Sequence, residues 1–325
     1  MRAIRQEQFG GPEVLNLMEI PDPHPGPGQV RIAVQAAGVH LIDTAIRQGR
    51  SGGPFPPPPL PFTPGREVAG VVDEVGPGVS ESLIGSSVAA DLGMTGGYAE
   101  FAIAPERALF ALGGELDAAL GVAVIGTGTT TMGILEIAAP QPVDVALITA
   151  AAGGIGSLLV QALQATGATV VATAGSAQKA SLAADLGADI AIDYSDPEWP
   201  EAVRKALDGR SVTLALDGVG GEIGRAALEL LGIGGRLVMF GSSSGPLTEI
   251  TTADLFMRGI SATAAVGART ADPVRMQSLR AQAFEAATKG ELTPLIGQRF
   301  PLAEAAEAHA SITTRKTIGK VILTP

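Results

Sequence analysis

A glycine-rich turn near the middle of the chain has the pattern of a phosphate-binding site. The turn Ala150-Ala-Ala-Gly-Gly-Ile-Gly156 follows a short apolar run and opens a stretch with helical periodicity. Gly153 and Gly154 permit tight turning and close approach of a ligand, while Gly156 lets the helix pack against the strand. The N-terminus of the helix offers unpaired N–H groups and partial positive charge. Unless these glycines serve turn geometry alone, the segment predicts a nicotinamide dinucleotide held by Ala152, Gly153, Gly154, Ile155 and Gly156.

The stretch after the next strand indicates which nicotinamide cofactor is bound. Sites for NAD usually place an acid there to bind the ribose hydroxyls. The segment 171–179 contains no acid, and the first carboxylate beyond it is Asp185. Ser176 could hydrogen-bond a phosphate and Lys179 could supply charge, although Lys179 could also be a solvated helix residue. This pattern favours NADPH over NADH.

Composition and charge exclude several classes of protein. The 325 residues carry a net charge of −11, and no cluster of Lys and Arg could form a nucleic-acid-binding face. The chain has no Cys and only three His, so a catalytic zinc site is not expected. We find neither a long apolar run nor a signal peptide, so we expect no membrane span and a cytoplasmic location.

The distribution of apolar runs and of Pro- and Gly-rich loops along the chain predicts an α/β protein of two domains. The first third has short β-type runs (29–37, 67–75 and 87–90) between Pro- and Gly-rich loops, which suggests a partly open β-barrel. From 143 to 266, six apolar runs alternate with helical stretches, which predicts a doubly wound parallel sheet. We place the dinucleotide-binding domain at 121–266 and the catalytic domain at 1–120 plus 267–325.

Several ordered motifs together resemble the zinc-free quinone oxidoreductases of the medium-chain dehydrogenase/reductase superfamily. The resemblance spans nearly the full length of the chain and rests on six motifs besides the glycine turn. They are Ala36-Ala-Gly-Val-His-Leu-Ile-Asp-Thr44, Pro64-Gly-Arg-Glu-Val-Ala-Gly-Val-Val72, Gly96-Gly-Tyr-Ala-Glu100, Asp217-Gly-Val-Gly-Gly221, Gly235-Arg-Leu-Val-Met-Phe-Gly241 and Thr317-Ile-Gly-Lys-Val-Ile-Leu323.

The resemblance implies a Rossmann domain inserted into a GroES-like catalytic domain, with the nicotinamide in a cleft between them and a homodimer paired through the last strand of the nucleotide sheet. It also assigns further cofactor-binding positions. Besides Ser176 and Lys179, these are Tyr194 and Arg315 at the adenosine phosphate, Phe240 and Ser242 after the fifth strand, and Thr130 at the nicotinamide end.

The chain departs from the family pattern near the expected substrate. His40 stands where the family usually has Asn, while the Asp that follows is kept as Asp43. Ala45 stands where the family often has an aromatic residue, and Phe55 stands where it often has a tyrosine, which predicts a wider and less polar pocket. Arg66 replaces the His of the Gly-His-Glu motif of zinc relatives, which agrees with the missing thiols.

These observations predict hydride transfer from NADPH to a quinone or an activated enone without a metal. His40 and Asp43 are the candidate catalytic residues; alternatively, His40 replaces Asn structurally and Asp43 caps the following helix. Other functions stay open: an enoyl-thioester or 2-alkenal reductase of the same fold, or a non-enzymatic NADPH-binding protein. A short-chain dehydrogenase is disfavoured because neither Tyr98 nor Tyr194 begins a Tyr-x-x-x-Lys motif.

Overall fold

The computed structural model describes residues 1–50 and 56–325, so Phe55 lies outside the described residues. The chain forms two compact units, Met1–Thr129 with Arg280–Pro325 and Thr130–Leu279. These bounds lie further along the chain than the predicted ones, 121–266. Both boundaries between the units fall inside a helix, where no change of amino-acid composition marks them.

The described residues form fifteen strands and ten α-helices. The strands are β1 (Arg2–Arg5), β2 (Asn16–Glu19), β3 (Gln29–Val39), β4 (Glu67–Val75), β5 (Ser87–Asp91), β6 (Phe101–Pro105), β7 (Leu109–Ala111), β8 (Val145–Ile148), β9 (Thr169–Ala174), β10 (Ile190–Asp193), β11 (Val212–Asp217), β12 (Leu231–Met239), β13 (Ser261–Ala264), β14 (Ile296–Pro301) and β15 (Lys320–Thr324). The helices are α1 (Leu41–Arg47), α2 (Ala118–Ala123), α3 (Thr129–Ala138), α4 (Gly154–Thr166), α5 (Ala177–Asp185), α6 (Trp199–Leu207), α7 (Gly221–Leu230), α8 (Thr252–Arg258), α9 (Pro273–Thr288) and α10 (Ala305–Thr313).

The unit Thr130–Leu279 is built on the predicted doubly wound sheet. Its six strands are all parallel and lie in the order β10-β9-β8-β11-β12-β13. Parallel strands buried on both faces are apolar along their whole length, and all four residues of β8 are buried. From β8 the chain proceeds through β9 to β10 at one edge of the sheet, and from β11 it proceeds through β12 to β13 at the other edge. Ligands of such sheets bind at the carboxyl ends of the strands beside this change of direction. The predicted Rossmann fold is confirmed.

The other unit is β-rich, as predicted for the GroES-like domain. Its main sheet has the order β14-β15-β3-β4-β5-β7, with β6 also paired to β3. The C-terminal strand β15 runs antiparallel to β3 and pairs Val321 with Val39. The two ends of the chain therefore share one sheet, whose core includes Ile32, Val72 and Leu323.

Several elements were not predicted from the sequence patterns. Strand β2 is exposed at every residue and so lacks the apolar alternation that marks a half-buried strand. The helical stretch Ala118–Ala138 is interrupted by Thr and Gly and contains a π-helical turn at Val124–Gly128. In the described part of the chain it is the one helix long and apolar enough to cross a membrane, but 67% of its most apolar window is buried, as in a core helix.

Candidate active site

The glycine turn has the geometry of a phosphate cradle. Strand β8 ends at Ile148, and α4 begins at Gly154 with Gly153 as its N-cap residue. A Cβ on Gly156 would overlap the carbonyl oxygen of Ala150, which explains the glycine. The first N–H groups of α4 therefore lie at the carboxyl end of the sheet, where they can bind an anion.

The loop after β9 lies at the same edge of the sheet. Ser176 is the N-cap residue of α5, and its Oγ accepts the N–H of Lys179 at 3.3 Å. Its hydroxyl proton can therefore be donated to a phosphate oxygen. Tyr194 follows β10, donates its N–H to the carbonyl oxygen of Ala174 at 2.8 Å, and covers Gly175, where a Cβ would lie 3.2 Å from the ring. The structure thus brings Ser176, Lys179 and Tyr194 to neighbouring strand ends.

The loops after β11 and β12 complete this edge. Phe240 directly follows β12 and packs on the backbone of Gly218, where a Cβ would lie 2.5 Å from the ring. Ser242 lies in the next turn, where its carbonyl oxygen accepts the N–H of Gly245 at 2.9 Å. Both predicted residues therefore lie in the same group of loops as the glycine turn.

Asp217 is a residue that our list of candidates missed. It is completely buried at the end of β11. Its Oδ1 accepts hydrogen bonds from Thr149 Oγ1 at 2.8 Å and from the N–H of Val219 at 2.9 Å, while Thr248 Oγ1 donates to its Oδ2 at 2.6 Å. Asp217 thereby ties the loop after β8 to the loop after β11. Its position in the Asp-Gly-Val-Gly-Gly motif was the available signal.

Two further predicted cofactor-binding residues belong to other elements of the chain. Thr130 is in the first turn of α3 and begins the dinucleotide-binding unit. Arg315 belongs to the other unit and follows α10 with a left-handed backbone (φ 55°). Their roles stay predictions. The residues at the carboxyl edge of the sheet fit a dinucleotide phosphate, since they combine open helix N–H groups, a hydroxyl and an ammonium without a carboxylate at 173–179.

In the β-rich unit, His40 and Asp43 hold the start of α1. His40 is the N-cap residue, and its backbone N–H donates to Asp43 Oδ2 at 2.8 Å. Asp43 is the third residue of the helix and forms a capping box with His40, so it caps the helix start as the structural alternative expects, although His40 and not Asp43 occupies the N-cap position. The carboxylate reaches back to the helix start because a side chain at that position lies beside the N-cap backbone.

His40 also belongs to a cluster of charged side chains. Glu67 Oε1 lies 2.7 Å from His40 Nε2 and 2.6 Å from Lys320 Nζ, and Lys320 Nζ lies 2.8 Å from His40 Nε2. Burial by itself would raise the pKa of Glu67, but the charges and hydrogen bonds of His40 and Lys320 lower it to about 2. Glu67 and Lys320 are buried, whereas a quarter of the His40 side chain is exposed. His40 is thus the member of the cluster that a ligand can reach.

A second, buried network of hydrogen bonds connects Asp43 to Tyr98, His309 and Arg47. Arg47 Nη1 lies 3.1 Å from His309 Nδ1, and Tyr98 Oη lies 3.1 Å from His309 Nε2 and 3.3 Å from Asp43 Oδ2. Donation from Arg47 to Nδ1, from Nε2–H to Tyr98, and from Tyr98 to Asp43 satisfies every link with a neutral imidazole. Burial lowers the pKa of His309 to about 4, against a smaller opposing effect of Asp43.

This network predicts a loss of stability in weak acid. An unfolded chain protonates histidine near pH 6.5, whereas folded His309 stays neutral down to about pH 4, so the free energy of unfolding falls as the pH decreases between these values. Glu67 adds a further loss below about pH 4.5. Between pH 7 and 4.5, we expect the free energy of unfolding of His309→Gln to decrease by about 2 kcal/mol less than that of the wild type.

Urea unfolding at pH 7, 5.5 and 4.5 measures this difference, with the exposed His24→Gln as the matched control. Equal losses of stability in the wild type and in His309→Gln would contradict the assignment.

Within residues 1–50 and 56–325, no three His, Asp or Glu side chains come together in a way that could hold a metal ion. The expectation of metal-free chemistry stays a prediction, and a metal analysis of the purified protein tests it.

Comparison with known proteins identifies the family. Residues 26–114 match the alcohol dehydrogenase GroES-like domain, and residues 154–282 match the zinc-binding dehydrogenase family. The chain is 33% identical to a quinone oxidoreductase of Pseudomonas aeruginosa, over 100% of this chain and 99% of the relative. It is also 33% identical to a 2-haloacrylate reductase of Burkholderia, over 97% and 96%. The crystal structure of Escherichia coli quinone oxidoreductase complexed with NADPH superposes with a TM-score of 0.89, at 28% identity and over 100% of both chains. The chain belongs to the quinone oxidoreductase family of the medium-chain dehydrogenase/reductase superfamily.

Proposed function

We propose that this protein uses NADPH to reduce a quinone or an activated enone and that no metal takes part. The observation that carries the proposal is the carboxyl edge of the six-stranded sheet. There the glycine turn offers open helix N–H groups, and the loop after β9 presents Ser176 and Lys179 where NAD sites have an acid. Family membership supports the same acceptor class.

The residues of this chain bind, orient and protonate. NADPH, when bound, supplies a hydride from its nicotinamide ring. The glycine turn and Ser176, Lys179, Tyr194 and Arg315 hold its phosphates, while Phe240, Ser242 and Thr130 orient the remainder. Holding the two reactants aligned can contribute ~7–11 kcal/mol.

Conversion of a quinone to a hydroquinone also consumes one proton. His40 supplies it from its imidazole, which is partly exposed and has Nε2 beside Lys320 Nζ. A conjugated acceptor spreads the developing negative charge onto its oxygen, where a hydrogen-bond donor such as His40 stabilises it. Asp43 contributes by holding the start of α1 through the backbone N–H of His40.

Lys179→Ala is expected to weaken binding of NADPH about tenfold and to leave NADH binding unchanged, because a charge-assisted contact to the 2′-phosphate is lost. Fluorescence titration with both cofactors measures this. Lys205→Ala, on the last turn of α6, is the matched control. Equal affinities of the wild type for NADPH and NADH, or an unchanged preference in Lys179→Ala, would rule out the phosphate site.

His40→Ala is expected to lower kcat about 100-fold without changing NADPH affinity, because general acids typically contribute this much. His24→Ala, which changes an exposed histidine, serves as the control. We would abandon a role in catalysis for both residues if His40→Ala and Asp43→Ala each kept turnover within about twofold of the wild type.

A substrate panel with NADPH separates the alternative functions. Benzoquinones, naphthoquinones, 2-alkenals, 2-haloacrylates and enoyl thioesters should be compared by kcat/KM. Highest values for quinones and simple enones support the proposal, and highest values for enoyl thioesters favour the thioester reductase. Tight NADPH binding without turnover of any of them would indicate a non-enzymatic NADPH-binding protein.

We also propose that the protein is a homodimer in the cytoplasm. Strand β13 lies at the edge of the six-stranded sheet, where unpaired backbone groups can pair with another strand. Large exposed apolar side chains occur in the same unit, namely Ile233, Leu247, Phe256 and Met257, and the last two lie in α8 just before β13. Light scattering should give twice the chain mass of 32.7 kDa, and Phe256→Glu should give the monomer. A monomeric wild type at micromolar concentration would refute the dimer.

A further inference from the structure

Lys320 is a buried charge that hydride transfer itself does not require. Its side chain is only 4% exposed, and lysine is almost never buried unless it is paired. The motif Thr317-Ile-Gly-Lys-Val-Ile-Leu323 contains it, but our list of site residues did not. Strand β15 begins at Lys320 and pairs with β3, which ends one residue before His40. The topology therefore brings the C-terminal lysine to the candidate proton donor.

The three side chains are arranged so that both forms of His40 Nε2 have a partner. When Nε2 carries a proton, the charged ring has the carboxylate oxygen Oε1 of Glu67 as an ion-pair partner at 2.7 Å. When Nε2 lacks a proton, it can accept from Lys320 Nζ at 2.8 Å. Glu67 and Lys320 lie 2.6 Å apart and keep their opposite charges in either case. Either form of the ring therefore has a partner within 2.8 Å of Nε2.

The backbone around Glu67 leaves no room for a side chain at two neighbouring glycines. A Cβ on Gly38 or on Gly126 would overlap a carboxylate oxygen of Glu67. Gly126 lies in the π-helical turn, and its Cβ would also lie 3.0 Å from His40 Cε1. Because both side chains are buried, the charges of Glu67 and Lys320 act on the imidazole with little screening.

We propose that Lys320 and Glu67 are positioning residues that act through His40, holding its ring and controlling how readily it takes up a proton. This rests on the proposed function, in which His40 supplies the proton. Two further titratable groups are linked to His40: Asp43 accepts its backbone N–H, and Tyr98 donates to Asp43. They are unchanged in the variants below, so differences between variants report on Lys320 and Glu67.

Substitution of the two residues should have opposite effects. In Lys320→Met, the buried carboxylate keeps its negative charge without the ammonium, so the imidazole should protonate at a pH about one unit higher. In Glu67→Gln, the ammonium stays without the carboxylate, so the imidazole should protonate at a pH about one unit lower. Lys320→Arg keeps the charge and should stay close to the wild type.

The exposed pair Glu285 and Lys289 supplies matched controls. Its ammonium and carboxylate lie 2.6 Å apart on the surface of α9. Lys289→Met and Glu285→Gln make the same chemical changes away from His40 and should leave its titration unchanged.

The experiment is an NMR titration of the His40 ring signals from pH 5 to 9 in the full-length protein saturated with NADP⁺, together with the pH profile of kcat. His40→Gln assigns the signals, and melting temperature and cofactor affinity check the fold of each variant. Opposite displacements in Lys320→Met and Glu67→Gln support the proposal, and the kcat profile should move in the same directions. Displacements in the same direction, or none, overturn it.

Two further outcomes keep the inference separate from the proposed function. If Lys320→Met does not fold, the His40 titrations in Glu67→Gln and Lys320→Arg test the proposal instead. A His40 titration in Glu67→Gln that matches the wild type overturns it. If His40→Ala keeps full turnover while the ring titrations move as expected, the charge control by Lys320 and Glu67 stands and the role of His40 as proton donor fails.

Discussion

Gly156→Ala is expected to weaken NADPH binding by roughly 10- to 100-fold and to lower stability by about 1–3 kcal/mol. The added Cβ would overlap the carbonyl oxygen of Ala150 and lie 2.8 Å from Ala151 Cα, both of which belong to the backbone. Neither can move away as a side chain would. The start of α4 must therefore shift away from β8, and the N–H groups that face the phosphates shift with it.

Fluorescence titration with NADPH and thermal unfolding measure the two effects. Gly113→Ala is a suitable control, because a Cβ there would meet nothing within 4 Å. Binding by Gly156→Ala as tight as that of the wild type would show that the helix start does not hold the cofactor.

Asp217→Ala is expected to lower the free energy of unfolding by about 3–5 kcal/mol, because the substitution leaves several buried donors without an acceptor. The donors are the hydroxyls of Thr149 and Thr248 and the N–H groups of Val219 and Gly220. We also expect weaker NADPH binding, since the loops after β8 and β11 lose their connection.

Urea unfolding of a graded series tests this result. Thr248→Val removes a single donor and should cost about 1 kcal/mol, and Asp217→Asn should fall between the two because its amide cannot accept at both ends. The network would be unimportant if Asp217→Ala cost no more than Thr248→Val. Normal stability combined with weak NADPH binding would instead limit Asp217 to a role in the cofactor loops.

The dinucleotide-binding unit was predictable because its determinants are local. Each buried parallel strand is a short apolar run, and each crossover helix has its own periodicity, so the six strands and the turn at 150–156 follow from neighbouring residues. The lack of an acid at 173–179 is likewise a property of one short segment. The β-rich unit was less predictable, because exposed strands such as β2 carry no apolar alternation and the sheet joins residues from both ends of the chain.

The surroundings of His40 depended on contacts between distant segments. The residue type and the kept Asp43 marked His40 as a candidate, but nothing near residue 40 indicates Glu67 or Lys320. The same holds for the contacts of Tyr98 and His309 with Asp43.

The sequence by itself therefore determined the family and the doubly wound sheet and predicted NADPH as the cofactor, since each depends on residue types and on spacing within a few tens of residues. Only the tertiary structure decided which charges surround His40 and that Asp43 is the third residue of α1. Pairing of β15 with β3 and of β3 with β4 places residues 40, 67 and 320 side by side. Strand pairing over such distances in the chain is selected by burial of the whole sheet, and no single segment carries that information.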